Sequence, residues 1–297
     1  MHDPVTAAAP RLGFIGAGRL ASALALALQR AGLPVCRVAS RHDASAQHMA
    51  QRLTDCQAVS PQALVDDCAL VFITTPDAAI AQVAQTLSWR AGQQVVHCSG
   101  ATPVAALQAA RQAGAQVGGF HPMQAFGVDA GVAADSLPGC TVAIEADDPE
   151  LRAQLGELAT RLGCKGLDLP PDARVRYHAS GTYAAQHIHV LMAEAVRLWQ
   201  SWGATEQQAL DALLPLLRGT LESLAHSGVA AGMPGPVSRG DVGTIQQHRH
   251  ALQELDPAMC QLYDQLGQRG VRLAVQADRL DPTRAQAMLQ LLRLPPE

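Results

Sequence analysis

The sequence predicts an α/β fold in two parts: a doubly wound, mainly parallel sheet with helices on both faces, followed by an all-α C-terminal domain. Three observations predict it. Short apolar runs alternate with helix-forming stretches from Leu12 to Leu169. Cap-and-proline pairs, Ser60-Pro61 and Thr102-Pro103, punctuate that alternation as helix starts. After Pro170-Pro171 the apolar period becomes helical and stays so, which sets the predicted domains at 1–170 and 171–297.

The first element is a buried strand of Leu12, Phe14 and Ile15, followed by a tight turn at Gly16 and Gly18 and a helix from about Arg19 to Leu28. Ala21 takes the last small position of G-x-G-x-x-G/A. In this Rossmann fingerprint the backbone of Gly16, Ala17 and Gly18 and the helix start at Arg19, Leu20 and Ala21 meet a pyrophosphate, whose charge the free N–H groups and the helix dipole favour. Strands follow at 35–39, 56–59, 69–74, 94–98, 116–120, 141–145 and 165–169. The helices between them reach Leu53, start at Ser60-Pro61, run from Thr75-Pro76-Asp77 to Leu87 with Asp77 as cap, run from Thr102-Pro103 to Ala113, and span 149–162. This βαβ order demands a mainly parallel sheet. In the second part Leu191, Val196 and Leu198, then Leu210 to Leu224, mark helices, with a kink expected at Pro215. The stretch 228–240 reads as a long Gly/Pro loop of functional type, Asp241 as a cap, and the remainder to about Leu294 as further helices.

Composition narrows the function. The 297 residues are 48% hydrophobic and 16% charged, with net charge -4, which points away from nucleic-acid and membrane-surface partners and toward a small-molecule substrate. Seven cysteines stand singly, without C-x-x-C, and read as reduced, mostly buried side chains. The first ten residues lack a basic n-region, so a cytoplasmic protein is expected. His187 and His189, like His248 and His250, are two apart on helices and point away from each other, so no metal site is expected.

The nicotinamide cofactor is read at the end of the second strand. An acid there binds the ribose of NAD, but this chain has Ala39-Ser40-Arg41. Ser40 and Arg41 suit a 2′-phosphate, so NADP is expected over NAD; the alternative is a solvated Arg41 with Asp43 on the ribose. Thr74, Thr75 and Pro76, at the end of the fourth strand, are expected to touch the cofactor through backbone.

GFIGAGRLA at 13–21, ITTPD at 73–77, HCSG at 97–100, GGFHPMQAF at 118–126 and GPVSRGD at 235–241 together resemble a bacterial two-domain family. Its members join a Rossmann-like NAD(P)-binding oxidoreductase domain to a helical C-terminal domain of unknown function. Wider relatives are pyrroline-5-carboxylate reductases and the 6-phosphogluconate, ketopantoate and prephenate dehydrogenases and reductases. The resemblance implies hydride transfer between NADP(H) and a small carbonyl, hydroxy-acid or imine substrate, ketopantoate among them. It also implies a homodimer through the helical domain.

The candidate catalytic residues are His121, Ser99, His178 and Arg239. His121 follows the sixth strand on the side where open α/β sheets bind ligands, in a His-Pro-Met segment similar to that of prephenate dehydrogenases. It reads either as a general acid or as a loop histidine bonded to backbone. Ser99 reads as a substrate contact or a turn serine, and Arg239 as a carboxylate clamp or a surface charge. His178, beside Tyr177, starts a long helix where related dehydrogenases carry Lys and Asn; here Gln186 stands further along it. A non-catalytic NADP-binding sensor is the alternative. It would need the glycine turn and Arg41 but not His121.

Overall fold

The computed structural model describes residues 10–170 and 172–292. The N-terminal segment, Pro171 at the predicted junction and the helix end expected near Leu294 lie outside the described residues. The chain forms two compact units, Met1–Gln186 and His187–Glu297.

The first unit runs β1 (Leu12–Ile15), α1 (Arg19–Arg30), β2 (Val35–Ala39), α2 (Asp43–Ala50), β3 (Gln57–Ala58), α3 (Pro61–Asp67), β4 (Leu70–Ile73) and α4 (Asp77–Thr86). It continues through β5 (Gln94–His97), a 3-10 turn (Val104–Leu107), α5 (Gln108–Gln112), β6 (Gln116–Pro122), α6 (Ala130–Asp135), β7 (Thr141–Ala146), α7 (Pro149–Arg161), β8 (Lys165–Asp168) and α8 (Arg174–Ala184). The sheet order is β3-β2-β1-β4-β5-β6-β7-β8. Every pairing is parallel except β6 with β7.

Period-2 alternation sorts the strand side chains onto two cores. Phe14, Phe72, Val96 and Phe120 face α1, α2 and α7. Ile15, Val71, Ile73 and Val95 face α3, α4, the 3-10 turn and α5. Phe14 stacks on Phe72 at 4.9 Å, and Phe120 meets Phe72 edge-on at 6.0 Å. Each such ring contributes ~1.5–3 kcal/mol by burial.

Several local expectations are corrected. Asp77 is the first residue of α4, with Pro76 at its cap and no side-chain cap bond. At the Thr102-Pro103 start Pro103 takes the N-cap position without a side-chain cap bond, the element opens as a 3-10 turn before α5, and the Thr102 N–H goes to the Ser99 hydroxyl. α6 is an added helix, capped by the Asp129 carboxylate on the Val132 N–H. His121 lies inside β6 rather than after it. The cysteines are free, as expected, but the fold brings four of them into neighbouring pairs: Cys36 and Cys68 at 4.0 Å, Cys140 and Cys164 at 3.6 Å.

The second unit contains α9 (Gln186–Gln200), α10 (Glu206–Ala231), α11 (Pro236–Arg239), α12 (Val242–Leu255), α13 (Pro257–Gln276) and α14 (Pro282–Leu291). Ile245, Val271, Ala274 and Met288 form its main core, and a buried Arg249–Asp264 pair at 2.8 Å ties α12 to α13. Thr205 starts α10 with a full capping box. α10 carries a backbone break at Gly228 (φ 77, ψ 178), a conformation that only glycine adopts readily, and Pro215 lies inside the helix with helical dihedrals. The predicted loop 228–240 is accordingly short: it holds the end of α10, α11, and Gly240 in the left-handed region. Asp241 caps α12, as expected. No helix among the described residues is long and apolar enough to cross a membrane.

Close packing under the sheet is tested at Gly13, where a Cβ would fall 2.7 Å from both Cys68 Sγ and Leu64 Cδ2. Gly13→Ala is expected to lower stability by ~1–3 kcal/mol in urea unfolding, as overpacking does; an unchanged midpoint would show that α3 yields there.

Candidate active site

The glycine turn after β1 is held by close backbone contacts. Gly16 has φ 115, and a Cβ on it would stand 2.6 Å from the Thr74 carbonyl carbon. Its N–H donates to the Ala39 carbonyl at 2.8 Å. The Thr74 hydroxyl lies within hydrogen-bonding distance of the Ile15 and Gly16 carbonyls, at 3.2 and 3.0 Å, so it pins the turn. Gly18 is exposed, with no atom within 4 Å of where its Cβ would be. The helix behind it has no side-chain cap and no acid in its first turn. Ala21 is fully buried where the helix crosses the strand, Ala17 and Leu20 pack against the same core, and Arg19 is exposed at the first helical position. Thr75 Oγ1 is buried without a hydrogen-bond partner, and Pro76 beside it is exposed. An open glycine face, an uncapped helix start and an orphaned hydroxyl fit a dinucleotide phosphate.

At the end of β2, Arg41 is exposed, and no hydrogen bond or ion pair engages it among the described residues. The Ser40 hydroxyl accepts from the His42 N–H at 3.4 Å. Asp43 begins α2.

Further along the same carboxyl edge a polar cluster forms around the turn after β5. Gly100 is its floor: a Cβ there would sit 2.8 Å from His121 Nε2 and would clash with His178 Nδ1. The two imidazoles meet edge to face with centroids 5.7 Å apart. Tyr177 stands on the other side of His121, its hydroxyl 3.2 Å from Nδ1 and donating to the His121 carbonyl at 3.2 Å. Ser99 is buried, and its hydroxyl oxygen accepts from Ala101 N–H at 3.2 Å and Thr102 N–H at 2.9 Å, which leaves its own proton to donate. His97 beneath it is fully buried; its Nδ1 accepts from the Ser99 N–H at 3.2 Å, and Nε2 has no partner.

Burial chiefly, then His178 and Arg174, lowers the His121 pKa to about 4. Burial, then Arg174 and His121, lowers that of His97 to about 3. Burial raises Tyr177 to about 12. At neutral pH these two imidazoles are uncharged and the phenol keeps its proton.

The structure therefore brings Ser99, His121 and His178 together. Arg239 is exposed at the end of α11 in the second unit. Four contributors escaped the sequence reading: Arg174, Glu145, Gly119 and the hydroxyl of Tyr177. A signal for them existed. Arg174, Tyr177 and His178 stand at i, i+3 and i+4, one face of one helix, and Gly118-Gly119 before Phe120-His121 marks a strand that something approaches closely.

Comparison with known proteins agrees with this architecture. Residues 2–122 match a Rossmann-like domain, and residues 140–270 match a domain of unknown function, DUF2520, so the chain joins the two. A search of curated proteins finds no match. Among solved structures, a Bacteroides fragilis protein provisionally described as an NADP oxidoreductase is similar at 26% identity and TM-score 0.73, covering 88% of this chain and 98% of its own. A reductive aminase from Aspergillus terreus, solved with NADPH and ethyl levulinate, aligns at 17% identity and TM-score 0.64, covering 96% and 100%. The 1-pyrroline-5-carboxylate reductase of Streptococcus pyogenes aligns at 16% and 0.59, covering 95% and 99%.

The buried neutral histidine makes a pH prediction. Below pH ~6.5 the unfolded chain takes up a proton that folded His97 refuses until about pH 3, so stability rises with pH across that window and is lost as pH falls through it. His97→Gln is expected to flatten the stability slope between pH 6.5 and 4 by ~1.4 kcal/mol per pH unit. An unchanged slope in urea titrations would mean that His97 is protonated in the folded state.

Proposed function

We propose that this chain, a Rossmann-like domain joined to a DUF2520 domain, is an NADP-dependent oxidoreductase that transfers hydride between NADP(H) and a small carbonyl, hydroxy-acid or imine substrate. The observation that carries this reading is the cluster of His121, Tyr177 and His178 over Gly100, on the same sheet edge as the open glycine turn. The NADP oxidoreductase, reductive aminase and pyrroline-5-carboxylate reductase among its structural neighbours support it.

When bound, the nicotinamide supplies or takes the hydride. The backbone N–H groups from Ala17 to Ala21 would hold the pyrophosphate, with Arg19 beside it, while Gly16, whose own N–H is taken by Ala39, supplies the turn. Thr74 fixes the turn, and Thr75, whose hydroxyl lacks a partner, and Pro76 would meet the cofactor at that edge. Ser40 and Arg41 take the 2′-phosphate. His121, uncharged, works as a neutral imidazole. When the Tyr177 hydroxyl donates to Nδ1, His121 Nε2–H is free to polarise the substrate heteroatom; when Tyr177 donates to the carbonyl, Nε2 is free to accept a proton. Ser99 donates its remaining proton to orient the substrate, and solvent-exposed His178 relays protons at the same point.

Binding of NADPH and NADH, followed by turnover on ketopantoate, other 2-keto acids and cyclic imines, tests the reading. NADPH is expected to bind more tightly, and Arg41→Ala to shrink the preference about ten- to a hundredfold; equal affinity for NADH in the unmutated chain would contradict it. His121→Ala is expected to cut turnover ~10²- to 10⁴-fold with NADPH affinity kept. NADPH binding with no turnover of any such substrate would instead favour a sensor.

We also propose a homodimer through the second unit. Val190 and Leu191 on α9, and Leu214, Leu216, Leu221 and Leu224 on α10, are exposed, more apolar surface than a lone helical unit leaves in water. Light scattering is expected to give about twice 31.2 kDa; a monomer at micromolar concentration would contradict the dimer.

A further inference from the structure

Arg174, the first residue of α8, is 5% exposed. Its Nε and Nη2 both donate to Glu145 Oε2, at 2.8 and 2.6 Å, and its Nη1 donates to the Ser99 carbonyl at 2.8 Å. Glu145 belongs to β7 and Ser99 to the turn after β5. Between them, on β6, Gly119 makes the room: a Cβ there would stand 2.6 Å from Nη2. One buried cation thus ties the start of a helix to β7 and to the turn after β5, passing over β6, through a planar fork that lysine cannot reproduce. Tyr177 and His178 follow one turn later, on the face of α8 that this anchor fixes.

We infer that Arg174 is a positioning residue for the proposed reaction: its three hydrogen bonds set α8 so that Tyr177 meets His121 Nδ1 and His178 turns toward Gly100. Its bearing on turnover rests on the oxidoreductase reading above; its placement of the side chains does not. A guanidinium so close to the cluster also disfavours a second positive charge on His121. The other groups facing that ring are His178 and Tyr177 on α8, His97 on β5, and Asp77 on α4, whose carboxylate pulls the opposite way. Glu145 offsets part of the Arg174 charge and would be left unpaired without it.

The test is the ring titration of His121 in the whole chain, followed by NMR on labelled histidine and assigned with His121→Gln. In Arg174→Met the His121 midpoint is expected to rise by about 1 pH unit, as a like charge leaves and an acid is freed. In Arg174→Lys, which keeps the charge without the fork, the midpoint is expected to stay low while the Tyr177–His121 bond loosens, seen as faster exchange of the His121 ring proton. An arginine that only holds the fold predicts unchanged exchange of the His121 ring proton in Arg174→Lys. An unchanged midpoint in folded Arg174→Met would overturn the inference. Should that variant not fold, Gly119→Ala, whose new methyl displaces Nη2 while the charge stays, is expected to behave as Arg174→Lys does, with a low midpoint and faster exchange of the His121 ring proton, and unchanged exchange there would overturn the inference equally. NADPH affinity, measured separately, is expected to be unaffected by Arg174→Met. Failure of the unmutated chain to bind NADPH would bring down the oxidoreductase reading and leave the titration result standing.

Discussion

Parallel pairing of β1, β4, β5 and β6 is the constraint on which the site depends. Parallel neighbours end on the same edge, so the glycine turn after β1, the Thr74-Thr75 segment after β4, the Ser99-Gly100 turn after β5 and His121 near the end of β6 arrive together. β1 and β6 are three strand spacings apart, about 14 Å at about 4.8 Å each. No loop has to reach across the sheet to bring the glycine turn to the same edge as the His121 cluster. The register carries His121 two residues beyond the level of His97, which lifts it from the fully buried row into the rim.

Burial then decides the chemistry. Desolvation is the largest influence on His97, His121 and Tyr177 alike, and it drives each toward its uncharged form. The charge beside the cluster is borne instead by Arg174, which is paired with Glu145 and donates to the Ser99 carbonyl. A site built this way offers hydrogen bonds of adjustable direction rather than a fixed ion, and the Tyr177 hydroxyl, with two acceptors in reach, selects between two faces of His121.

Much of the fold was legible because its signals are local. The Rossmann strand, turn and first helix are written in consecutive residues, and the apolar runs that became β2, β4, β5 and β7 lie within a residue or two of their expected bounds. What was not legible depends on partners distant in sequence. The antiparallel return of β7 beside β6 turns on which edge is free, and the approach of Arg174 to Glu145 and Ser99 spans 29 and 75 residues. In α10 the break at Gly228 was not legible, because a glycine shows from sequence only that a positive φ is allowed, not that the chain uses it. Ser99 is the turn serine that one of its two readings expected: its oxygen accepts from the Ala101 and Thr102 N–H groups.

The central claim is that the glycine cradle and the His121 cluster form one site, joined only by the cofactor that bridges them. Histidine ring resonances recorded with and without saturating NADP+ test this directly. The account predicts that the His121 and His178 signals shift, while that of His226, exposed on α10 in the second unit, does not. NADP+ binding at the cradle with the His121 and His178 signals unmoved would contradict it.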